Sequence, residues 1–142
     1  MINKEFLNTI TVLYVEDEEL AREKLGKLLT NLFKKVDTAK NGKEGLDKFL
    51  SNNQKGEPYD LVISDINMPI MNGIVMLEEI RAVDKDIPFI FTTARTESET
   101  HLKAIELSVS HYILKPIDLH DLIIKAQAVC EKEYAKKVLS EK

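Results

Sequence analysis

The sequence predicts an α/β fold, a doubly wound five-stranded parallel sheet with helices on both faces. Short apolar, β-branched runs alternate with longer segments whose apolar residues recur every three to four positions. This strand-then-helix alternation repeats five times, the pattern of a parallel sheet joined by helical crossovers. The runs are apolar almost throughout, as strands covered on both faces must be.

Residues 10–15 (ITVLYV) open the series as a buried strand. The helix expected over 18–33 carries Leu20, Leu25, Leu28, Leu29 and Leu32 at helical spacing. Residues 36–39 form a short second strand. Asn41-Gly42 breaks the chain, and 43–50 sets Leu46, Phe49 and Leu50 on one helical face. SNNQKGEP reads as a polar loop. Residues 59–64 (YDLVIS) form the third strand, followed by Asp65 and the proline-containing loop INMPIMN. A helix over 73–83 carries Val75, Met76, Leu77 and Ile80. Residues 88–92 (PFIFT) form the fourth strand, whose first position tolerates proline. A helix over 97–107 presents Leu102, Ile105 and Leu107. Residues 112–114 make the last strand, closed by Lys115-Pro116, and a long helix runs from Leu119 toward the C-terminus.

With 142 residues, 44% hydrophobic and 31% charged, the chain suits one domain spanning 1–142, with its core over about 9–130 and a helical extension or linker over 131–142. A net charge of -4 supplies no drive toward nucleic acid or anionic lipid. Cys130 is the single cysteine, so no intrachain disulfide forms, which suits a reducing, cytoplasmic setting. The first ten residues show no signal-peptide core, and no apolar run approaches a membrane span.

Right-handed crossovers leave few topologies, and the flavodoxin-like order 2-1-3-4-5 leads among them. Ligands of such sheets bind beyond the carboxyl ends of the strands where strand order reverses, here between the first and third strands. Glu16-Asp17 follows the first strand and Asp65 the third. Each has an ordinary explanation alone, as helix-capping acids or a turn residue. Together they repel unless a cation offsets them, and an all-oxygen set suits a hard ion such as Mg²⁺, with Mn²⁺ as an alternative. Thr93 follows the fourth strand and Lys115 the fifth, so a hydroxyl and an ammonium open onto the same edge.

These segments resemble the receiver domain of two-component response regulators. The matches are YVEDEE, LVISDINMPIMNG, FTTAR and YILKP, in order and covering nearly the whole chain. The resemblance implies that Asp65 accepts a phosphoryl group from a sensor histidine kinase or phosphotransfer protein. It implies that Glu16, Asp17, Asp65 and the main-chain carbonyl of Asn67 hold the metal ion. Thr93 is then the switch hydroxyl, Tyr112 the aromatic switch, Lys115 the phosphoryl-contacting lysine and Pro116 the proline of a cis bond. Ala94 leaves room for the phosphoryl group, and Asn67 and Arg95 stand where the family tunes its lifetime. Such a protein is a signalling phosphoacceptor rather than a turnover enzyme. Its output surface involves the helix over 97–107, the last strand and the last helix.

Two features depart from the family. ELSVSHY lacks the usual glycine before the last strand, and His111 there offers a pH-sensitive group. A helix over 118–142 would also run about 37 Å, longer than one domain needs. It suits a receiver that continues into an output domain or forms a homodimer; a stand-alone adaptor is the alternative. A Mg²⁺-dependent aspartyl-phosphate phosphatase is a further alternative, though it needs an acid where Asn67 stands. A flavin-binding module would need a phosphate cradle where the chain has EDEE.

Overall fold

The computed structural model describes residues 1–94 and 109–141. Its elements are α1 (Lys4–Leu7), β1 (Thr11–Val15), α2 (Glu19–Thr30), β2 (Lys35–Ala39), α3 (Gly42–Gln54), β3 (Leu61–Asp65), α4 (Gly73–Val83), β4 (Phe89–Thr93), β5 (His111–Leu114) and α5 (Leu119–Ser140). The five strands form one parallel sheet in the order β2-β1-β3-β4-β5, as the alternation of elements predicts. The helix expected over 97–107, with Leu102, Ile105 and Leu107, lies outside the described residues, as does Arg95.

Strand alternation divides the apolar residues between two cores. Leu13, Val15, Val62, Phe89 and Phe91 face α3 and α4, where Phe49, Met76, Leu77 and Ile80 meet them. Val12, Tyr14, Ile63, Ile90 and Ile113 face the other way, onto Leu29, Leu122, Ile123 and Ala126. Both layers are closed by buried side chains, so the polar strand ends are driven to the rims.

Caps set several helix boundaries. The side chains of Asn41, Asn72 and Asp118 accept from the backbone N–H groups of Glu44, Val75 and Asp121, starting α3, α4 and α5. Helix α3 overruns its expected end and takes in Ser51–Gln54 of the polar stretch. It ends at Gln54 with Lys55 as its cap, and the following Gly56, with a φ of 75°, lets the Glu57 N–H reach Asn52 O at 2.9 Å and the Gly56 N–H reach Asn53 O at 3.2 Å.

One other expectation changes, and one element was not anticipated. The leucine stripe of α2 is narrower than its spacing suggests: Leu29 is buried, but Leu20 and Leu28 are 58% and 46% exposed. The short helix α1 has no periodic signal. Asn3 caps it, and Gln127 of α5 pins its approach by accepting from Asn3 N at 2.7 Å and donating to Met1 O at 2.9 Å. Past Cys130, α5 leaves the core. There Lys136 pairs with Asp86 at 3.2 Å and Tyr134 stacks edge-on to Phe6.

Candidate functional site

The parallel register sets the carboxyl edge. Val15 pairs with Ser64, Asp65 with Thr92, and Thr93 with Leu114, so residues 16, 65, 93 and 115 leave the sheet side by side. Asp65 is the last residue of β3 and Thr93 the last of β4. A backbone bond from Lys115 N to Thr93 O, 2.8 Å, holds the end of β5 against β4. The Lys115–Pro116 peptide bond is cis.

Glu16, Asp17 and Asp65 offer carboxylate oxygens that all lie within 4.8 Å of one another. Glu16 is 1% exposed and Asp65 9%, whereas Asp17 is open to solvent. Lys115 Nζ bridges the two buried acids, 3.1 Å from Glu16 Oε1 and 3.1 Å from Asp65 Oδ2. The remaining oxygens take backbone donors: Ile66 N–H on Asp65 Oδ1 at 2.8 Å and Glu18 N–H on Glu16 Oε2 at 3.2 Å. The site thus holds three acids against one ammonium. Burial raises the Glu16 pKa, the Asp65 charge adds to the rise, and the Glu18 N–H and Lys115 oppose it. Burial works against the Lys115 charge, but Asp65 and Glu16 outweigh it and leave the ammonium pKa raised.

The loop after β3 is tightly constrained. Ile70 has a φ of 70° and sits in a γ-turn closed by Met71 N to Pro69 O at 2.7 Å. Gly73 N–H returns to Ile66 O at 2.7 Å, and a Cβ on Gly73 would collide with the Asp65 carbonyl oxygen. The backbone that positions Asp65 is thereby locked to the start of α4.

The other sequence candidates are more dispersed. Thr93 is 1% exposed, and its hydroxyl donates to Ala94 O at 3.1 Å rather than to Asp65. Ala94 and Asn67 are exposed on adjoining loops. Tyr112 is half-buried beside Phe91, ring centroids 6.5 Å apart.

Sequence reasoning passed over Arg22. Its Nη1 donates to Glu16 O at 2.9 Å and Asp17 O at 3.4 Å. The signal was a basic residue within a helical turn or two of the acid pair. It also passed over an apolar groove of about 300 Å³ that opens beside Lys115 and Glu16 and is lined by Leu25, Leu28, Pro116 and Leu119. That groove is where the exposed Leu28 sits.

Comparison with known proteins agrees with this geometry. The family model for the response regulator receiver domain matches residues 12–127. Response regulator ArlR of Staphylococcus epidermidis is 34% identical over 128 residues, covering 90% of this chain and 56% of that protein. The chain therefore spans little more than half the length of such relatives. An N-terminal domain from Wolinella succinogenes superposes with a TM-score of 0.81 at 33% identity, covering 90% of this chain and 99% of that one. A receiver domain from Clostridium thermocellum gives 0.80 at 27% identity, covering 92% and 98%. A chain of the CheX-CheY-BeF3-Mg+2 complex from Borrelia burgdorferi gives 0.77 at 27% identity, covering 90% and 94%. Sheet order, strand-end acids and these likenesses together make the chain a member of the response regulator receiver domain family.

Proposed function

We propose that this receiver is switched by phosphorylation of Asp65, with a sensor histidine kinase or a phosphotransfer protein as donor. The observation that carries the reading is the carboxylate cluster with Lys115 already on Asp65 Oδ2. A carboxylate oxygen of Asp65 attacks the donor phosphorus, the P–N bond to the donor histidine breaks, and the imidazole nitrogen keeps the electron pair. Asp65 then carries an acyl phosphate. Water hydrolyses its P–O bond, releasing inorganic phosphate and restoring the carboxylate. The chain acts as a phosphoacceptor and not as a turnover enzyme.

The donor set fits Mg²⁺, or Mn²⁺ in its place: oxygen ligands from Glu16, Asp17 and Asp65, with the Asn67 main-chain carbonyl as the fourth protein ligand. When bound, the ion offsets charge on the transferring phosphoryl oxygens. The remaining work belongs to the chain. Lys115 holds a positive charge at the acceptor oxygen. The small side chain of Ala94 leaves space beside it, and Thr93 turns from Ala94 O toward the new oxygens. Tyr112 follows by moving deeper against Phe91. Asn67, two residues beyond Asp65, and Arg95, two beyond Thr93, tune the lifetime of the acyl phosphate. The switch is read by a downstream output domain or target protein, or by a homodimer partner along α5, at an output surface that includes β5 and α5. The greater length of the ArlR relatives supports an attached output domain over a stand-alone adaptor.

Incubation with acetyl phosphate and Mg²⁺, read by intact mass and by beryllofluoride titration, tests this. Wild type should gain one phosphoryl group and bind beryllofluoride, and Asp65→Asn should do neither. Equal uptake by the two proteins would overturn the assignment.

A further inference from the structure

We infer that Arg22 is a positioning residue for the divalent cation: its guanidinium brackets Asp17 through the two flanking peptide carbonyls and presets the direction of the Asp17 carboxylate. The inference rests on the metal-dependent reading above and names a residue that reading does not use.

Glu16 O belongs to the peptide before Asp17 and Asp17 O to the peptide after it. Nη1 of Arg22 reaches both, at 2.9 and 3.4 Å. Fixing both peptide planes fixes φ and ψ of Asp17, and with them its Cα–Cβ direction. Among the described residues nothing else does this for the side chain. The Asp17 carboxylate is exposed and accepts no hydrogen bond from the described residues, whereas Glu16 and Asp65 are each held at both oxygens. Asp17 is thus the one member of the cluster whose placement depends on its backbone alone.

Arg22 is not there for helix stability. It lies in the opening turns of α2, Glu19–Thr30, where the helix dipole disfavours a cation. Four glutamates lie nearby in sequence, at 16, 18, 19 and 23, yet among the described residues the guanidinium pairs with no carboxylate and engages only carbonyls. The other anchors of this turn, Glu16 N on Ala39 O and Arg22 N on Glu18 O, leave both bracketed carbonyls to the guanidinium.

Charge and positioning predict opposite signs, which makes the test decisive. Removing a nearby positive charge alone would tighten Mg²⁺ binding. Losing the bracket would weaken it, by roughly tenfold on the scale of partners that orient metal ligands. Mg²⁺ affinity of the unphosphorylated full chain is measured by calorimetry for wild type, Arg22→Met, Arg22→Lys and the charge control Lys24→Met, with thermal melts alongside. The expected result is weaker binding in Arg22→Met, an intermediate value in Arg22→Lys, and unchanged or tighter binding in Lys24→Met. Wild-type or tighter affinity in Arg22→Met overturns the inference and leaves the proposed function standing. If Arg22→Met does not fold, Arg22→Lys decides in its place, and wild-type affinity there overturns the inference. Wild type that binds no Mg²⁺ overturns the metal-dependent reading itself, and this inference with it.

Discussion

Strand β3 has an aspartate at each end, and the two are held in opposite ways. Asp60, just before Leu61, accepts from Thr11 N and Thr11 Oγ1 on its Oδ2, both at 2.9 Å, so neutral donors from the adjacent strand hold it. Asp65, at the other end, shares one lysine with Glu16 and sits within 4.8 Å of two further acids. Strand β5 also carries a titratable group at each end, His111 at its start and Lys115 just past its end. At the amino edge Asp60 ties β3 to β1 through neutral donors. The carboxyl edge accumulates charge it cannot balance internally, which leaves it responsive to an incoming cation or phosphoryl group.

Breaking the closed edge should cost the most stability. Asp60→Ala removes two hydrogen bonds to a carboxylate and strands the Thr11 N–H, a loss of about 2 kcal/mol. Asp65→Ala removes an acid that its neighbours repel, and Lys115 keeps Glu16, so the change should stay within about 1 kcal/mol. Urea unfolding of both variants checks the ordering. Equal destabilisation would show that the two edges are built alike.

Lys115→Met sharpens the contrast from the other side. It leaves Glu16 and Asp65 facing each other, at a cost of about 1–2 kcal/mol near neutral pH. Because the folded-state pKa of Glu16 is raised, its contribution to stability is complete at acid pH and lost as pH rises through that value. Without Lys115 the rise is larger, so the deficit of the variant should shrink as pH falls. In wild type the Lys115 contribution has the same sign but is lost only above its ordinary 10.5. A deficit that stays constant between acid and neutral pH would remove the coupling between the lysine and Glu16.

The contrast between edges also explains which parts of the molecule were legible in the sequence. Helix α4 runs over 73–83 as its apolar spacing predicts, because Asn72 caps it and Met76, Leu77 and Ile80 all point inward. The acids and the lysine of the carboxyl edge were legible because parallel topology alone places strand ends together. Helix α1 was not, since four residues are too few for a periodic signal and its stability comes from Gln127, far away in sequence. The overrun of α3 through Ser51–Gln54 was hidden by residues with weak helix propensity; a Gly56 turn that could close it was visible, but its register was not. Leu28 kept helical spacing yet faces an open groove, because periodicity identifies a stripe without saying how wide a surface covers it. Arg22 was passed over because its partners are backbone carbonyls, which carry no sequence identity, and its place shortly after the acid pair was the one cue.

The smallest effect belongs to His111, at the amino end of the strand that leads to Lys115. Burial lowers its pKa, Lys125 lowers it further, and Asp121 opposes them. A base with a lowered folded-state pKa contributes stability that is present above its ordinary 6.5 and lost as pH falls through the lower folded value. Glu16, with its pKa raised, contributes a slope of the opposite sign, so the wild-type profile is a sum of opposed slopes from the two edges. His111→Gln removes only the first. The unfolding free energy of the variant from urea titration should therefore match wild type above neutral pH and exceed it as the solution becomes acid enough to charge His111. Parallel profiles across that range would mean that His111 titrates as it does in the unfolded chain, and that the amino edge takes no part in the pH response.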